Sequence, residues 1–334
     1  MRILFITYST YDTCSFYRSA GIAPDLKSKI KIDIDLKSWR EEFRWNDLSI
    51  YDLIMIQRPY TDMALQMALY AKNMGIKIWT DFDDLTLNVP YDNELYENYG
   101  NQARNSIRNI ITISDAVSVT TNFLKQEISD LNQNIHVIPN AFNDHLFRIR
   151  PIPAKRQKII AWRGGTTHTA DLLAFRDPIV KTIEKYTDWV FAFLGLRPMY
   201  YPELANIRHY GITDPMIYFR NIVNLAPVLF HIPLKDNPFN RSKSNIAFIE
   251  AAQAGALCVA PNWEEWQNLP GVFNYDTCED YELIIDNIID AAVKGGQTLR
   301  TQADEAWQYV NDNLRLSKIN QLRADLVKSL IETK

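Results

Sequence analysis

Short apolar runs rich in β-branched residues alternate along the chain with stretches whose apolar positions recur at helical spacing. In the first half, residues 3–8, 30–36, 53–57, 76–81, 116–120 and 135–138 read as strands, and 62–73, 102–113 and 122–131 as helices. This alternation predicts βαβ units around a parallel sheet, whose strands are buried on both faces and are therefore apolar almost throughout. A second series begins after residue 154, with strands at 158–162, 189–194, 228–232 and 257–260 and helices at 172–186, 244–254, 281–293 and 299–314. Between the two series, residues 139–143 (Pro-Asn-Ala-Phe-Asn) and 149–154 (Ile-Arg-Pro-Ile-Pro-Ala) show no periodicity and carry three prolines, as a hinge does.

The pattern predicts an α/β protein of two Rossmann-like domains facing a central cleft. Residues 1–143 form the first domain and 144–314 the second, and an amphipathic helix at 315–334 packs back on the first. Ligands of open α/β sheets bind beyond the carboxyl ends of the strands, so the cleft is the expected site. A length of 334 residues suits two domains of this size. No Gly-x-Gly-x-x-Gly follows the first strand; Thr7-Tyr-Ser-Thr-Tyr-Asp12 stands there, which counts against a dinucleotide-dependent dehydrogenase.

Composition narrows the classes. A hydrophobic fraction of 47% excludes a largely disordered chain, and a formal charge of −4 gives no general attraction to nucleic acid or anionic membrane. Cys14, Cys258 and Cys278 are odd in number and widely spaced, so they make neither a disulfide framework nor a zinc cluster and fit a reducing cytoplasm. No apolar run reaches the length of a membrane span, which leaves peripheral contact as the only expected association with a bilayer.

The richest stretch for chemistry is 238–255, Pro-Phe-Asn-Arg-Ser-Lys-Ser-Asn-Ile-Ala-Phe-Ile-Glu-Ala-Ala-Gln-Ala-Gly. Its polar loop, with Ser242, Lys243, Ser244 and Asn245, opens a helix whose first amides and dipole favour an anion. Arg241 and Lys243 add positive charge at that end, and the Glu250 carboxylate suits two ribose hydroxyls. The alternative is a capped surface helix with solvated cations. Arg163-Gly164-Gly165 ends a predicted strand, where small residues let the backbone approach phosphate or simply form a turn; Arg163 suits a leaving diphosphate, and His168 lies just beyond.

Trp79-Thr-Asp-Phe-Asp-Asp84 ends another strand. Asp81 and Asp83 match an Asp-x-Asp metal site, Asp83 or Asp84 suits a general base or an acceptor contact, and all three also suit turn capping. The aromatic and basic stretch 39–45 (Trp-Arg-Glu-Glu-Phe-Arg-Trp) is a further acceptor candidate, with core packing of its tryptophans the alternative.

The 238–255 stretch resembles the donor-binding segment of the GT-B glycosyltransferases of family four, the group 1 transferases. The likeness is to bacterial and phage members with Asn-Arg-x-Lys-Ser-Asn followed by Glu-x-x-x-x-Gly. Ser114–Asn122 and Asn134–Asn140 resemble the last strands and Pro-Asn hinge of that family's first domain, and Ile160–His168 its first donor-domain strand and glycine loop. Tyr17-Arg18 with Pro24 resembles an N-terminal loop on the acceptor side. Ser242 stands where the wider family has an acidic residue.

The resemblance implies a metal-independent hexosyl- or pentosyltransferase, retaining in configuration, using a nucleotide-diphosphate sugar as co-substrate and no cofactor. It implies donor contacts from Gly164, Gly165, His168, Arg241, Ser244, Asn245 and Glu250. Arg163, Lys243, Asp83 and Asp84 then serve catalysis, and Tyr17 and Arg18 the acceptor side. Many retaining members carry a histidine in the first domain. The five here (His136, His145, His168, His209 and His231) lie at or beyond its end, so none is assigned that part. The expected acceptor is a glycan or lipid-linked sugar, with a hydroxymethylated base in DNA as the alternative. A nucleotide-sugar epimerase of the same fold and a noncatalytic nucleotide-sugar binding protein are the other readings.

Overall fold

The computed structural model describes residues 1–10, 12–41, 44–197 and 199–332. Its first half holds strands β1 (Arg2–Thr7), β2 (Asp33–Ser38), β3 (Leu53–Gln57), β4 (Lys77–Phe82), β5 (Ala116–Val119) and β6 (Ile135–Val137). They pair in the order β2-β1-β3-β4-β5-β6, every pairing parallel. The second half holds β7 (Gln157–Gly164), β8 (Val190–Gly195), β9 (Ile207–Tyr210), β10 (Pro227–His231), β11 (Leu257–Pro261) and β12 (Val272–Tyr275). Their order is β12-β11-β10-β7-β8-β9, again all parallel.

Central strands are buried along their whole length, β3 and β11 at every residue, because helices cover both faces. In each sheet the order reverses beside its first strand, between β1 and β3 and between β7 and β10. Crevices at such reversals open at the carboxyl ends of the strands, which sets where ligands gather.

The predicted elements differ from the observed ones at sheet edges and in helices Thr13–Arg18, Ala23–Ile30 and Pro215–Leu225, which the sequence pattern did not bring out. Edge strands β9 (Ile-Arg-His-Tyr) and β12 (Val-Phe-Asn-Tyr) are absent from the sequence reading; each has four residues, and neither is buried throughout. The apolar run placed at 30–36 begins in fact as the end of helix Ala23–Ile30, which Lys31 closes in the left-handed region at φ 53°. Strand β2 therefore starts three residues later than expected, at Asp33. The single helix expected at 172–186 is two, Thr169–Ala174 and Arg176–Lys185, separated at Phe175.

The last helix, Leu316–Glu332, lies against helix Ala23–Ile30 of the first domain. Its Leu316, Ile319, Leu326, Val327 and Leu330 join a core with Ile3, Phe5 and Leu26. Residue Phe142 of the connection meets it through an isolated bridge to Arg315, so the chain crosses between domains twice at one place. Among the described residues, no helix is long and apolar enough to cross a membrane.

Candidate functional site

A cleft of about 430 Å³ lies between the domains at the carboxyl ends of the strands. Helix Thr13–Arg18 after β1, Arg58 after β3 and Asp83 and Asp84 after β4 form one wall. Opposite stand Arg163 and Gly164 of β7, Gly165 and His168 just beyond it, Gly195 of β8 and Lys243 and Ser244 in the segment after β10.

Arg163 is anchored by Glu250, its Nε donating to Oε2 at 2.8 Å and its Nη2 to Oε1 at 3.0 Å. Glu250 sits in helix Ile246–Ala254 and is 0% exposed. Ala247, one turn earlier, lines the cleft; Glu250 does not, but its partners Arg163, Tyr17 and Tyr218 do. Tyr17 from the first domain donates to Oε1 at 2.8 Å and Tyr218 donates to Oε2 at 2.7 Å. Burial works against the guanidinium charge, but Glu250 holds the Arg163 pKa above its usual value. Burial, followed by the Glu250 charge, pushes both tyrosine hydroxyls well up, so they stay protonated as donors.

On the facing wall Arg58 bonds both acidic residues, Nε to Asp83 and Nη2 to Asp84. Lys243 Nζ reaches Asp84 Oδ1 at 3.6 Å across the cleft. The two carboxylates diverge. Burial pushes Asp83 upward against the pull of Arg58, whereas Lys243 and Arg58 outweigh burial at Asp84 and hold it down to about 2. Arg58 also adopts φ 45°, a left-handed conformation that a non-glycine residue keeps only when its surroundings impose it. Sequence reasoning missed Arg58; the available signal was its place directly after a buried strand.

His168 Nδ1 lies 2.8 Å from Asp171 Oδ2, and Asp171 Oδ1 accepts from Asn240 Nδ2 at 2.7 Å. Burial, and then the charge of Lys243, lower the His168 pKa, so the ring is held neutral. With Nδ1–H donated to Asp171, Nε2 is the ring's acceptor. Gly164 is needed here because a Cβ would come within 2.6 Å of Trp162 and 2.9 Å of His168. Gly195 is tighter still, with φ +114° and a Cβ position 2.3 Å from the Gly164 carbonyl oxygen. Gly195→Ala is expected to cost about 1–3 kcal/mol of stability. Gly165→Ala, whose Cβ meets nothing within 4 Å, leaves stability unchanged. Calorimetric melting of the two variants checks the contrast.

Several expected site residues stand elsewhere. Arg241 is not in the cleft: it is 43% exposed, pairs with Asp236 at 2.6 Å and lies over Trp263, on a separate small pocket. One turn of helix, Pro238–Arg241, turns it away from Lys243. Asn245 is held by Glu265, its backbone N–H donating to Oε1 at 3.2 Å and its Nδ2 to the Glu265 carbonyl at 3.4 Å, whereas Ser244 lines the cleft and accepts from Asn140 Nδ2 at 2.7 Å.

Arg18 is fully buried against Asp81, with Nε to Oδ1 at 2.9 Å and Nη2 to Oδ2 at 2.7 Å, so neither residue faces an acceptor. Asp81 and Asp83 therefore do not converge on one point, against the Asp-x-Asp metal reading. Ser242, at the family's acidic position, accepts from the Leu85 amide at 3.2 Å and so joins the domains rather than facing a sugar.

In the 39–45 stretch, Trp39 and Trp45 pack against a core that includes Leu48 and Ile54, and Arg40 lies over the Tyr8 ring at 4.7 Å. Glu42 and Phe43 lie outside the described residues.

No family model matches the chain, and no curated protein matches it. Solved structures of the same architecture do. HepE from Anabaena, in complex with UDP, superposes with a TM-score of 0.67 at 13% identity, over 98% of this chain and 100% of that one. Sucrose-phosphate synthase from Thermosynechococcus elongatus gives 0.71 at 12% identity over 100% of both chains. The lipopolysaccharide outer core galactosyltransferase WaaB gives 0.56 at 12% identity over 98% of this chain and 100% of that one. These neighbours are GT-B glycosyltransferases, and the present chain, with two Rossmann-like domains facing a cleft, has the GT-B fold.

Proposed function

We propose that the protein transfers a sugar from a nucleotide-diphosphate donor, held by the second domain, to a hydroxyl acceptor at the first. The observation that carries this reading is the pair of cations, Arg163 and Lys243, on the donor-side wall of the cleft. With the amides at the start of helix Ile246–Ala254, they provide the positive charge a diphosphate leaving group needs. The likeness in fold to HepE, solved with UDP, supports the same placement of a donor.

In this reading the backbone at Gly164 and Gly165 admits the diphosphate, and His168 Nε2 and the Ser244 hydroxyl flank it. Arg163 and Lys243 offset charge as it builds on the departing β-phosphate, and Glu250 serves the ribose. Asp83 and Asp84, held by Arg58, orient the attacking hydroxyl, whose proton passes to the departing diphosphate oxygen as retention requires. Acceptor and leaving group thus meet between two preorganised charge clusters, and catalysis is chiefly positioning and electrostatics.

Asp83 and Asp84 are already bonded to Arg58 and Asp81 to Arg18, which supports transfer without a metal. Retention of anomeric configuration follows from the family resemblance, and a glycan or lipid-linked sugar is the proposed acceptor. The protein is proposed to act in the cytoplasm or peripherally at a membrane.

Glu250→Gln is the test variant, because alanine would leave Arg163 with no acceptor at this position, whereas the amide keeps the shape and one acceptor oxygen. It is expected to weaken nucleotide-sugar affinity by about tenfold, one charged hydrogen bond. Titration of UDP-, GDP- and ADP-sugars, with donor hydrolysis followed in EDTA, checks this. Unchanged affinity in the variant removes Glu250 from the donor site, and hydrolysis abolished by EDTA returns a metal to the mechanism. A free sugar isomer as the sole product would point to an epimerase.

A further inference from the structure

Glu250 is proposed above as the ribose partner, yet every direction of its carboxylate is taken by a protein donor. Arg163 holds one edge through two bonds, and the remaining positions are filled by two phenolic hydroxyls, Tyr17 at 2.8 Å on Oε1 and Tyr218 at 2.7 Å on Oε2. Two hydroxyl donors, one on each carboxylate oxygen, are what a ribose 2′,3′-diol would itself present.

The two tyrosines are not equivalent. Tyr218 belongs to helix Pro215–Leu225 of the same domain as Glu250. Tyr17 belongs to helix Thr13–Arg18 of the first domain and crosses the cleft to reach the carboxylate. Its ring stacks edge-on against Phe16 at 5.0 Å, so the phenol is held in place from its own side.

We infer that Tyr17 is a stand-in for the donor ribose: its hydroxyl occupies Glu250, and a nucleoside diphosphate must displace it to bind. This rests on the proposed donor site and assigns Tyr17 to donor affinity rather than to the acceptor. A buried carboxylate left without donors would be costly, so a resident hydroxyl keeps Glu250 satisfied and its rotamer fixed until the ligand arrives. The same contact makes donor binding report across the cleft, because Tyr17 stands on the first domain's wall, which also carries Asp12 and Cys14.

Such a competitor lowers apparent affinity by the fraction of molecules in which it is engaged. Removing only the hydroxyl, as Tyr17→Phe, keeps the ring and its packing. UDP, GDP and ADP are the probes, titrated calorimetrically into the wild type, Tyr17→Phe, Glu250→Gln and the double variant. The nucleotide that binds the wild type is expected to bind Tyr17→Phe several-fold to about tenfold more tightly, the worth of one hydrogen bond to a charged group. The melting temperature without ligand is expected to fall at the same time.

A residue of purely structural importance would move both readouts downward. In the Glu250→Gln background the Tyr17→Phe gain is expected to shrink, since the two groups act on each other. Equal or weaker nucleotide binding by Tyr17→Phe would overturn the inference while leaving the donor site intact. Binding of none of the three nucleotides to wild type or variants would instead overturn the donor site, and the inference with it.

Discussion

Lys243→Ala is expected to lower the turnover of donor sugar by roughly 10²–10³, the effect of removing one group that meets charge developing in a transition state. Lys243 stands on the cleft wall with its side chain 14% exposed and its Nζ 3.6 Å from Asp84, a partly dehydrated place where charge interactions are strong. Its ion pair with Asp84 is long, and the expected change in melting temperature is correspondingly small. The loss therefore falls on kcat and kcat/KM together, which marks an interaction made mainly in the transition state. Lys243→Arg should recover part of the rate, since it keeps the charge but changes its geometry. Steady-state hydrolysis of the nucleotide sugar measures both variants. A Lys243→Ala enzyme with wild-type kcat would remove this residue from leaving-group stabilisation and leave Arg163 as the only cation in that part.

The largest expected effect on stability is at Arg18. Its guanidinium and the Asp81 carboxylate are both fully buried and doubly bonded, and Arg18 Nη1 also donates to the Ile138 carbonyl at 2.7 Å. Arg18→Met leaves Asp81 with an uncompensated charge and is expected to cost about 3–5 kcal/mol. Arg323 of the last helix lies close enough to feel both groups. Burial and then Arg18 bring its pKa down to about 9, so it shares the same buried charge cluster. Replacing both partners, Arg18→Met with Asp81→Leu, should restore part of the loss, because an apolar pair removes the orphaned carboxylate but also takes from Arg323 a charge that offsets its burial. Denaturant unfolding of the two variants decides the point: a double variant no more stable than the single would mean that packing around Arg18, rather than its charge, is what matters. This pair also explains why the Tyr17-Arg18 motif divides in the structure. Tyr17 points across the cleft to Glu250, and Arg18 turns inward under the sheet.

The period of the apolar positions along the chain determined the two parallel sheets, since strands covered by helices on both faces must be apolar throughout and helices must carry a stripe. The same pattern placed Arg163, Asp83 and Asp84 at strand ends and Lys243 at the start of a helix, and the parallel arrangement then brought them to one cleft. Edge strands β9 and β12 escaped because a short strand, open on one side, lacks the apolar run that marks a central one. What no local pattern carries is the pairing of side chains from distant segments. Glu250 read as an open ribose ligand, yet its partners come from residues 17, 163 and 218. Arg58 read as nothing, yet it binds both acidic residues from a different strand. Arg241 read as a second donor cation until a single helical turn rotated it to Asp236. Periodicity is a property of neighbours along the chain and fixes which face a residue takes; the partner it meets there is set by how the two sheets are ordered and by the contacts that hold the domains together, and only the tertiary structure decides those.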